Sequence, residues 1–371
     1  NMIQVSEMEK KNKRRFVQEQ ANDIFVIGAG CIGQGLVVSL LKSNISNRVF
    51  LVSKTKQLQK IQKNGITLTG VVEGRFTLSK RFVVVDKIYR DFFLKYKIAK
   101  SPIVFLTKKA RDIASSLYLF QQGLSDLGSI VICLQNGLGL ELEVENALNS
   151  LSTKVLKGQV FGAIYKNAES LFAYKGSILV ERFSETCSER LKKIFHYQND
   201  SVFNLEISSN ILQAIYPKIA INCVCNPLTV ILNQPLGSIK IQYEALIRMI
   251  CNEVYRIALS QSIELSSLED LSNNVLEAMS RFSSHYSSMY LDFQYGKVSE
   301  IEYINGAILK IAQVKKIPVP LNQLLINSIK ELEKKRLSCK SVKEFYQRND
   351  LYLENIKTQL FEMVKYNRAL V

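Results

Sequence analysis

The sequence predicts an α/β domain with a mostly parallel, doubly wound sheet, followed by an all-α domain. Up to about residue 205, short apolar runs alternate with amphipathic stretches and glycine turns, which is typical of βαβ units. From residue 209 the apolar residues recur at helical spacing only. The chain has 371 residues, 47% of them hydrophobic, which is more than one compact core needs. We therefore expect two domains.

The domain bounds follow from these shifts in pattern. A basic N-terminal extension precedes the α/β domain, and a helical extension follows the helical domain. The four segments cover residues 1–20, 21–207, 208–338 and 339–371.

The α/β domain opens with the segment DIFVIGAGCIGQGLVVSLLKS, in which an apolar run, a glycine turn and helical periodicity follow one another. This order predicts a strand, a turn and a helix. Further strands are predicted in RVFLVSK, SPIVFL and GSIVICL, and helices follow the last two. Short strands in KGQVFGAIYKN and GSILVERF complete the domain.

The second half of the chain has long helical periods joined by short polar turns. Helices are predicted over 209–232, 238–263, 267–281, 299–316 and 321–336. The tail SVKEFYQRNDLYLENIKTQLFEMVKYNRALV predicts one more amphipathic helix.

The composition is strongly basic, with a net charge of +16 and a pI near 9.4. Such a balance favours polyanions as ligands. A phosphorylated cofactor and an RNA both satisfy it, as do solvated lysines, and the run KKNKRR adds to the RNA alternative.

Cysteine and histidine usage argues against metal and disulfide chemistry. The seven cysteines are scattered through predicted strands and helices, which indicates reduced thiols. The two histidines, His196 and His285, have no second ligand at metal spacing. We predict no metal site and no Ser-His-Asp triad.

No charge-free apolar run of about 18 residues is present, so we predict no membrane span. The opening segment is charged and lacks the apolar centre of a secretory signal. Its acidic residues also argue against a transit peptide. We expect a cytoplasmic protein, or one of the mitochondrial matrix if an address sequence before Asn1 has been removed.

The first glycine turn has the spacing Gly28-x-Gly30-x-x-Gly33 between a predicted strand and a predicted helix. In that context the pattern predicts a Rossmann-type dinucleotide site. Gly28 makes the tight turn, Gly30 lets the backbone reach a pyrophosphate, and Gly33 lets the helix pack closely. The alternative is a packing turn without a ligand. The remaining residues of the predicted site in this turn are Ala29, Cys31 and Ile32.

The end of the second strand indicates which dinucleotide is bound. An NAD enzyme usually has an acidic residue there for the ribose 2'-hydroxyl, whereas this chain has Ser53, Lys54 and Lys56. A lysine pairs with a 2'-phosphate, so we predict NADP(H). A solvent-exposed lysine is the alternative, above all for Lys56.

The apolar segment PKIAINCVCNPLTVIL contains Lys218, Asn222 and Asn226. On an α-helix these positions drift by only about 80° around the axis, so the three polar side chains share a stripe. Burying an unpaired ammonium costs several kcal/mol, so the stripe either faces water or receives a polar ligand. A lysine that extends to solvent is the alternative. Pro227 disfavours helix at Asn226 and predicts a kink there.

Seven ordered segments resemble the ketopantoate reductase (2-dehydropantoate 2-reductase) family: IGAGCIG, FLTKKA, LQNGLG, KIAINCVCNPLTVI, SSMYLDF, SEIEYINGAI and IPVPLNQ. They span about residues 23 to 336. The resemblance implies a Rossmann domain and a helical domain like that of 6-phosphogluconate dehydrogenase. It also implies the reduction of 2-dehydropantoate to pantoate by NADPH, a step of pantothenate and coenzyme A biosynthesis.

The resemblance implies roles for the stripe and for two later residues. Lys218 would be the general acid that protonates the ketone oxygen, and Asn222 and Asn226 would hold the substrate. Glu300 matches the active-site glutamate of the family, and Ser288 matches a serine that contacts the substrate. The alternatives are a capping box formed by Ser299 and Glu302, with Glu300 as a first-turn acid, and a surface serine.

Two residues that follow strands are also implied. Asn136 would contact cofactor or substrate near the nicotinamide, and Lys109 would lie near the cofactor, with Lys108 as its close competitor. Open parallel sheets bind ligands at such strand ends.

Departures from the family pattern leave alternatives open. Leu236 stands where members of the family often have a substrate-contacting asparagine, so a different 2-keto acid is an alternative substrate. Lys54 stands where arginine is common and lacks its bidentate fork. A reductase fold retained as a basic RNA-binding scaffold is the alternative from another class. The helical domain also allows a homodimer.

Overall fold

The computed structural model describes residues 22–44, 46–53, 55–86, 90–113, 117, 123, 126–150, 152–167, 170–195 and 201–368. The chain divides into two compact units. Among the described residues, the sheet unit comprises residues within 22–135 and 141–209, and the helical unit comprises residues 136–140 and 210–368. The predicted N-terminal extension, residues 1–20, lies outside the described residues. The bounds inferred from sequence separated the tail and assigned residues 136–140 to the α/β domain. The structure groups both segments with the helical unit.

Twelve strands are described in the sheet unit. They are β1 (Asn22–Ile27), β2 (Asn47–Val52), β3 (Ile66–Gly70), β4 (Gly74–Phe76), β5 (Phe82–Val85), β6 (Ile103–Leu106), β7 (Ile130–Cys133), β8 (Lys154–Phe161), β9 (Ile164–Asn167), β10 (Ser170–Ala173), β11 (Gly176–Glu181) and β12 (Phe203–Ser208). Five α-helices accompany them among the described residues. They are α1 (Cys31–Ser43), α2 (Thr55–Asn64), α3 (Arg90–Lys95), α4 (Leu140–Leu148) and α5 (Glu185–Ile194).

Eight strands form the main sheet, in the order β12-β11-β8-β7-β6-β1-β2-β5. Neighbours are parallel except for the antiparallel pair of β8 and β11. The first six of its strands along the chain therefore have the order 3-2-1-4-5-6, which is the order of dinucleotide-binding sheets. The order reverses between β1 and β6, where such sheets bind their ligand. The predicted doubly wound fold is confirmed.

The central strands are buried on both faces, as parallel strands covered by helices must be. Residues Ile24 to Ile27 of β1 and Ile103 to Leu106 of β6 are at most 1% exposed. No element was predicted between residues 55 and 100, where the structure has the strands β3, β4 and β5 and the helices α2 and α3. These strands are short and partly exposed, so their apolar pattern is weak. A second sheet has the order β4-β3-β10-β9.

The helical unit contains eight described α-helices and a 3₁₀ turn at Ile301–Tyr303. The helices are α6 (Ile211–Leu232), α7 (Leu236–Ser260), α8 (Leu268–Arg281), α9 (Ser288–Gln294), α10 (Asn305–Lys315), α11 (Pro320–Leu337), α12 (Val342–Arg348) and α13 (Asp350–Arg368). The predicted all-α domain is confirmed. The helix predicted over 299–316 begins only at Asn305, α9 was not predicted, and the tail forms two helices.

Helix α6 is the apolar centre of this unit. Its 22 residues are long and apolar enough to cross a membrane, but 78% of its most apolar 18-residue window is buried inside the protein, as in the core helix of a soluble fold. Helix α6 continues through Pro217 and Pro227, so the kink predicted at Asn226 does not end the helix there. It ends at Asn233, whose left-handed conformation (φ 51°, ψ 43°) stops the helix.

The C-terminal tail packs on the rest of the helical unit. Phe345 is fully buried and meets the ring of Phe293 edge to face, with centroids 4.9 Å apart. The Tyr346 hydroxyl donates to the carbonyl of Val230 at 2.7 Å, close to the end of α6, where carbonyls lack intrahelical donors. The tail thus completes the capping of α6.

Candidate functional site

The glycine turn after β1 has a backbone that side chains would obstruct. Gly28 has φ +121°, a conformation that L side chains rarely adopt. A Cβ at Gly33 would lie 1.9 Å from the Gly28 carbonyl oxygen, so Gly33 lets α1 begin directly against the turn. A Cβ at Gly30 would meet no atom within 4 Å. Gly28 and Gly33 therefore shape the turn, and Gly30 leaves open space above it.

Three side chains that were not predicted as site residues hold this turn and the end of the neighbouring strand β6. The Thr107 hydroxyl, one residue after β6, donates to the Gly28 carbonyl at 2.9 Å. Gln34 Nε2 donates to the Ala29 carbonyl at 2.8 Å. Gln135 Nε2 donates to the carbonyls of Leu106 and Lys108. A polar residue directly after a buried strand was the signal available for Thr107.

The turn and α1 together fit a pyrophosphate. Gly30 is the N-cap of α1 without a side-chain cap, and the first turn contains no acidic residue, so no carboxylate competes for its N–H groups. Ala29, Cys31 and Ile32 are half-buried around it. Burial raises the pKa of the Cys31 thiol, and nearby Lys166 partly opposes this. The thiol stays neutral beside an anion, and Lys166 is a further cation near the turn.

The cations predicted for the 2'-phosphate are only partly described. Ser53 is buried after β2, and its N–H donates to the Val85 carbonyl at 3.0 Å. Lys54 lies outside the described residues, and Lys56 is exposed in the first turn of α2. Lys109 is half-buried, and Lys108 contacts the glycine turn, because a Cβ at Gly28 would lie 2.8 Å from its backbone nitrogen.

The polar stripe of α6 is its half-accessible face. Lys218 and Asn222 are partly exposed, together with Ala214, Pro217 and Ile221 on the same side, and every residue from 223 to 232 is buried. Asn226 lies deeper, at 4% exposure. The stripe therefore runs from a half-buried lysine to a buried asparagine, as a face that receives a polar ligand would.

Lys218 has an altered acidity. Burial lowers its pKa to about 8 from 10.5, because a desolvated ammonium is disfavoured, and the carboxylate of Glu300 opposes this shift. Glu300 itself is 6% exposed. The structure thus brings together the two residues predicted to be catalytic. An ammonium with a pKa near 8 is charged at neutral pH and still gives up its proton readily.

The contacts around Glu300 rule out the capping box of Ser299 and Glu302 that was the alternative for this segment. The Glu302 carboxylate pairs with Lys330. The Ser299 N–H donates to Glu333 at 2.7 Å, and the Ser299 hydroxyl accepts from the Ile301 N–H. Lys330 and Glu333 of α11 therefore fix the segment that contains Glu300.

The serine that packs on the stripe is Ser287. It is buried at 7% exposure, its hydroxyl shares a 2.6 Å hydrogen bond with Thr229 of α6, and it caps α9 through the Tyr290 N–H. Ser288 is exposed at the first position of α9. The role of Ser288 stays a prediction. Its neighbour is the residue that fastens α9 to α6.

Asn136 belongs to a loop attached near Glu300. The Leu138 N–H donates to the Tyr303 carbonyl at 3.0 Å, and Gly137 has φ +106° with no room for a Cβ, which would lie 2.1 Å from that oxygen. Asn136 is half-buried beside these residues in sequence. Leu236 is 7% exposed, so its side chain belongs to the core of the helical unit.

Metal chemistry has no ligand set in the part of the chain that the structure describes. Within it, no three His, Cys, Asp or Glu side chains are grouped so as to hold an ion. The seven cysteines are free, and all but Cys31 are buried.

Two family models match the chain. The model described as "Ketopantoate reductase PanE/ApbA" matches residues 24–183, and the one described as "Ketopantoate reductase PanE/ApbA C terminal" matches residues 210–333. The chain belongs to the ketopantoate reductase family. The predicted protein class and cofactor class are thereby confirmed, because the chain is an oxidoreductase with a nicotinamide cofactor.

Two relatives of this ketopantoate reductase family member are similar to the chain over nearly their whole length. The 2-dehydropantoate 2-reductase of Pyrococcus horikoshii is 25% identical over 322 residues, 84% of this chain and 97% of the relative. The enzyme of that name from Archaeoglobus fulgidus is 25% identical over 313 residues, 83% of this chain and 97% of the relative.

Solved structures show the same fold. The 2-dehydropantoate 2-reductase of Methylococcus capsulatus has a TM-score of 0.71 at 21% identity, covering 86% of this chain and 99% of that one. D-mandelate dehydrogenase with NADH and anilino(oxo)acetate has a TM-score of 0.69 at 21% identity, covering 85% and 99%. A dimeric ketopantoate reductase from Staphylococcus aureus has a TM-score of 0.63 at 16% identity, covering 85% and 99%.

Substitutions of two glycines separate cofactor contact from packing. Gly30→Ala should leave the thermal unfolding midpoint nearly unchanged, since its backbone (φ −68°, ψ −179°) suits alanine and the added carbon meets nothing. It should raise the Kd for the cofactor at least about tenfold, because the methyl group occupies space needed by the pyrophosphate. Gly33→Ala should lower the free energy of unfolding by roughly 1–3 kcal/mol through overpacking. Thermal unfolding measures stability, and a fluorescence titration with NADPH measures cofactor affinity. An unaltered Kd for NADPH in Gly30→Ala would contradict the proposed pyrophosphate contact at this turn.

Proposed function

We propose that this family member is an NADPH-dependent 2-dehydropantoate 2-reductase with Lys218 as general acid. The observation that carries the proposal is an ammonium whose pKa is lowered to about 8 and which interacts with the carboxylate of Glu300. The curated relatives named above bear this activity in their names.

The reaction needs a hydride and a proton. NADPH supplies the hydride to the ketone carbon, and the negative charge that develops on the ketone oxygen needs a proton donor and a nearby cation. Lys218 Nζ meets both needs, because it donates its proton to that oxygen and carries positive charge until it does so. The neutral amine then regains a proton from solvent, and the product is the 2-hydroxy acid.

The neighbours of Lys218 have separate tasks in this proposal. Glu300 favours the charged form of the lysine, which keeps the acid protonated at neutral pH. Asn222 and Asn226 continue the stripe and offer amide groups to the carboxylate or hydroxyl end of the substrate. Asn136 and Ser288 complete the proposed contacts.

The preference for NADP(H) over NAD(H) rests on the residues after β2. Ser53 and Lys54 stand where an acidic residue would bind a ribose hydroxyl, and a lysine there pairs with a 2'-phosphate. Lys166 interacts with Cys31 and adds positive charge beside the glycine turn.

A different 2-keto acid is the second candidate substrate. Leu236 is buried at the position where a substrate-contacting asparagine was expected from the family. D-mandelate dehydrogenase shares the fold and was solved with anilino(oxo)acetate. The relatives and structures named above are reductases and dehydrogenases, which favours an enzyme over an RNA-binding scaffold. A homodimer is a further proposal, supported by the dimeric enzyme of Staphylococcus aureus.

Removal of the lysine tests the proposed function. Lys218→Ala should lower kcat for 2-dehydropantoate by roughly 10²–10⁴, the usual contribution of a positioned acid with charge stabilisation. The assay is loss of NADPH absorbance, with circular dichroism to show retained folding. Lys240→Ala is the matched control, because that lysine of the helical unit donates a hydrogen bond to Ser280, away from the stripe in sequence, and should keep full activity. Normal turnover by Lys218→Ala would refute the assignment.

The pH dependence of kcat tests the state of the lysine. Below pH 8 the ammonium is present, and above it the ammonium fraction falls about tenfold per pH unit, so ketone reduction should slow above a pKa of about 8. Oxidation of pantoate should accelerate over the same range, because the neutral amine then accepts the proton. Glu300→Gln should move both pH profiles to lower pH, because it removes the carboxylate that stabilises the ammonium form of Lys218. If both pH profiles are unchanged in Glu300→Gln, Glu300 does not influence the pKa of Lys218.

Cofactor preference tests Lys54. Lys54→Ala should lower kcat/KM for NADPH about 10- to 100-fold more than for NADH, the equivalent of roughly 1.5–3 kcal/mol for a charge-assisted hydrogen bond. Lys56→Ala is the control with an exposed lysine two residues later. Equal losses with both cofactors would count against a 2'-phosphate contact.

A further inference from the structure

Pro227 removes one backbone hydrogen bond from helix α6, beside its polar stripe. Pro227 has no N–H, so the carbonyl of Cys223, four residues earlier, has no intrahelical donor. This carbonyl directly follows Asn222 in the chain, and Cys223 is fully buried. A buried carbonyl without a donor costs about 1–3 kcal/mol.

Asn305 supplies the missing donor. Its Nδ2 lies 3.0 Å from the Cys223 carbonyl oxygen, and Asn305 is fully buried. The bond replaces the one that Pro227 removes. It joins α6 to the first residue of α10, 82 positions later in the chain.

A second layer of hydrogen bonds fixes the Asn305 amide. Nδ2 also donates to Asn322 Oδ1 at 2.9 Å, and Asn322 Nδ2 donates to Glu253 Oε2 at 2.7 Å. Glu253 further accepts from the backbone N–H groups of Leu321 and Asn322 and so caps α11, whose own N-cap residue provides no side chain for this. The donor to α6 is thus oriented by groups that cannot easily turn.

The arrangement is costly for stability alone. Asn305 Oδ1 is buried without a hydrogen-bond partner among the described residues, and burying an unsatisfied polar atom is unfavourable. Leucine has the same branched shape as asparagine, with bulkier methyl groups, and would avoid that cost, but it would leave the Cys223 carbonyl unpaired. Asparagine therefore serves the bond to α6.

The position of Asn305 along the chain links this bond to the site. Four residues, which include the turn Ile301–Tyr303, separate it from Glu300, and Cys223 follows Asn222. The bond therefore joins the segment that carries the carboxylate to the helix that carries Lys218, Asn222 and Asn226.

We propose that Asn305 is a positioning residue, which replaces the helix bond lost at Pro227 and thereby holds the stripe of α6 in register with Glu300. It touches neither substrate nor cofactor. The inference rests on the proposed function in so far as Lys218 and Glu300 act together in catalysis.

A double-mutant cycle tests the proposal, because Pro227→Ala returns an N–H to the Cys223 carbonyl. Asn305→Leu should lower kcat at least about tenfold, with the KM for NADPH unchanged. In the Pro227→Ala background the same substitution should lower kcat by less than about threefold. Asn327→Leu, an exposed asparagine of α11, is the matched control and should keep full activity. Equal losses in both backgrounds, or no loss in either, would overturn the proposal.

Hydrogen–deuterium exchange gives a readout that does not depend on activity. Peptides covering residues 214–232 should exchange faster in Asn305→Leu and return toward the unmodified rate when Pro227→Ala is added. Unchanged exchange in Asn305→Leu would overturn the anchoring. If the unmodified protein reduces no keto acid, the proposed function fails, while the exchange cycle still decides whether Asn305 anchors α6.

A folding failure is also informative. If Asn305→Leu does not fold, Asn305→Ala replaces it, since alanine removes the amide without placing branched carbons beside the carbonyl. Rescue of folding by Pro227→Ala supports the proposal, because only the missing N–H is restored. Failure of both variants to fold in both backgrounds would show that the Cys223 carbonyl is not the reason for Asn305, and the proposal would fall.

Discussion

The candidate site depends on keeping a lysine ammonium partly out of water. Burial works against the charged form of Lys218, and the carboxylate of Glu300 works for it, which leaves the pKa at about 8. Burial without the carboxylate of Glu300 would favour a neutral amine, which is not the acid that the reaction needs. Full hydration would leave an ammonium with an ordinary, higher pKa, which gives up its proton less readily. The acidity of Lys218 is therefore set by two opposing effects, of which burial is the larger.

The rest of the helical unit maintains that balance. Helix α6 needs a buried position to desolvate the lysine, but its two prolines remove backbone donors inside the core. Asn305 compensates one of them, and the Tyr346 hydroxyl caps a carbonyl near the C-terminal end of the helix. The C-terminal tail lies beyond the residues matched by the family models, yet it contributes directly to the same helix.

The sheet unit solves a different problem, which is to expose backbone N–H groups to an anion. Gly28 and Gly33 bring β1 and α1 together, and Thr107 fastens the turn to the neighbouring strand. The strand order places this turn where the sheet reverses direction. Hydrogen bonds from side chains hold carbonyls of the turn, which leaves the amides at the start of the helix available for a ligand.

Much of this was accessible from the sequence because it depends on local patterns. Apolar runs and helical periods determined the two-domain architecture, the glycine spacing determined the cofactor turn, and one apolar helix with three polar residues pointed to the candidate site. Edge strands such as β5 and short helices such as α9 were missed, since their patterns are too short to stand out. Tertiary structure alone decided that Ser287 rather than Ser288 packs on α6, that Glu302 pairs with Lys330 instead of capping a helix, and that Asn305 replaces a bond removed by Pro227. These are contacts between residues far apart in the chain, and no local periodicity encodes which distant partner a buried polar group will meet.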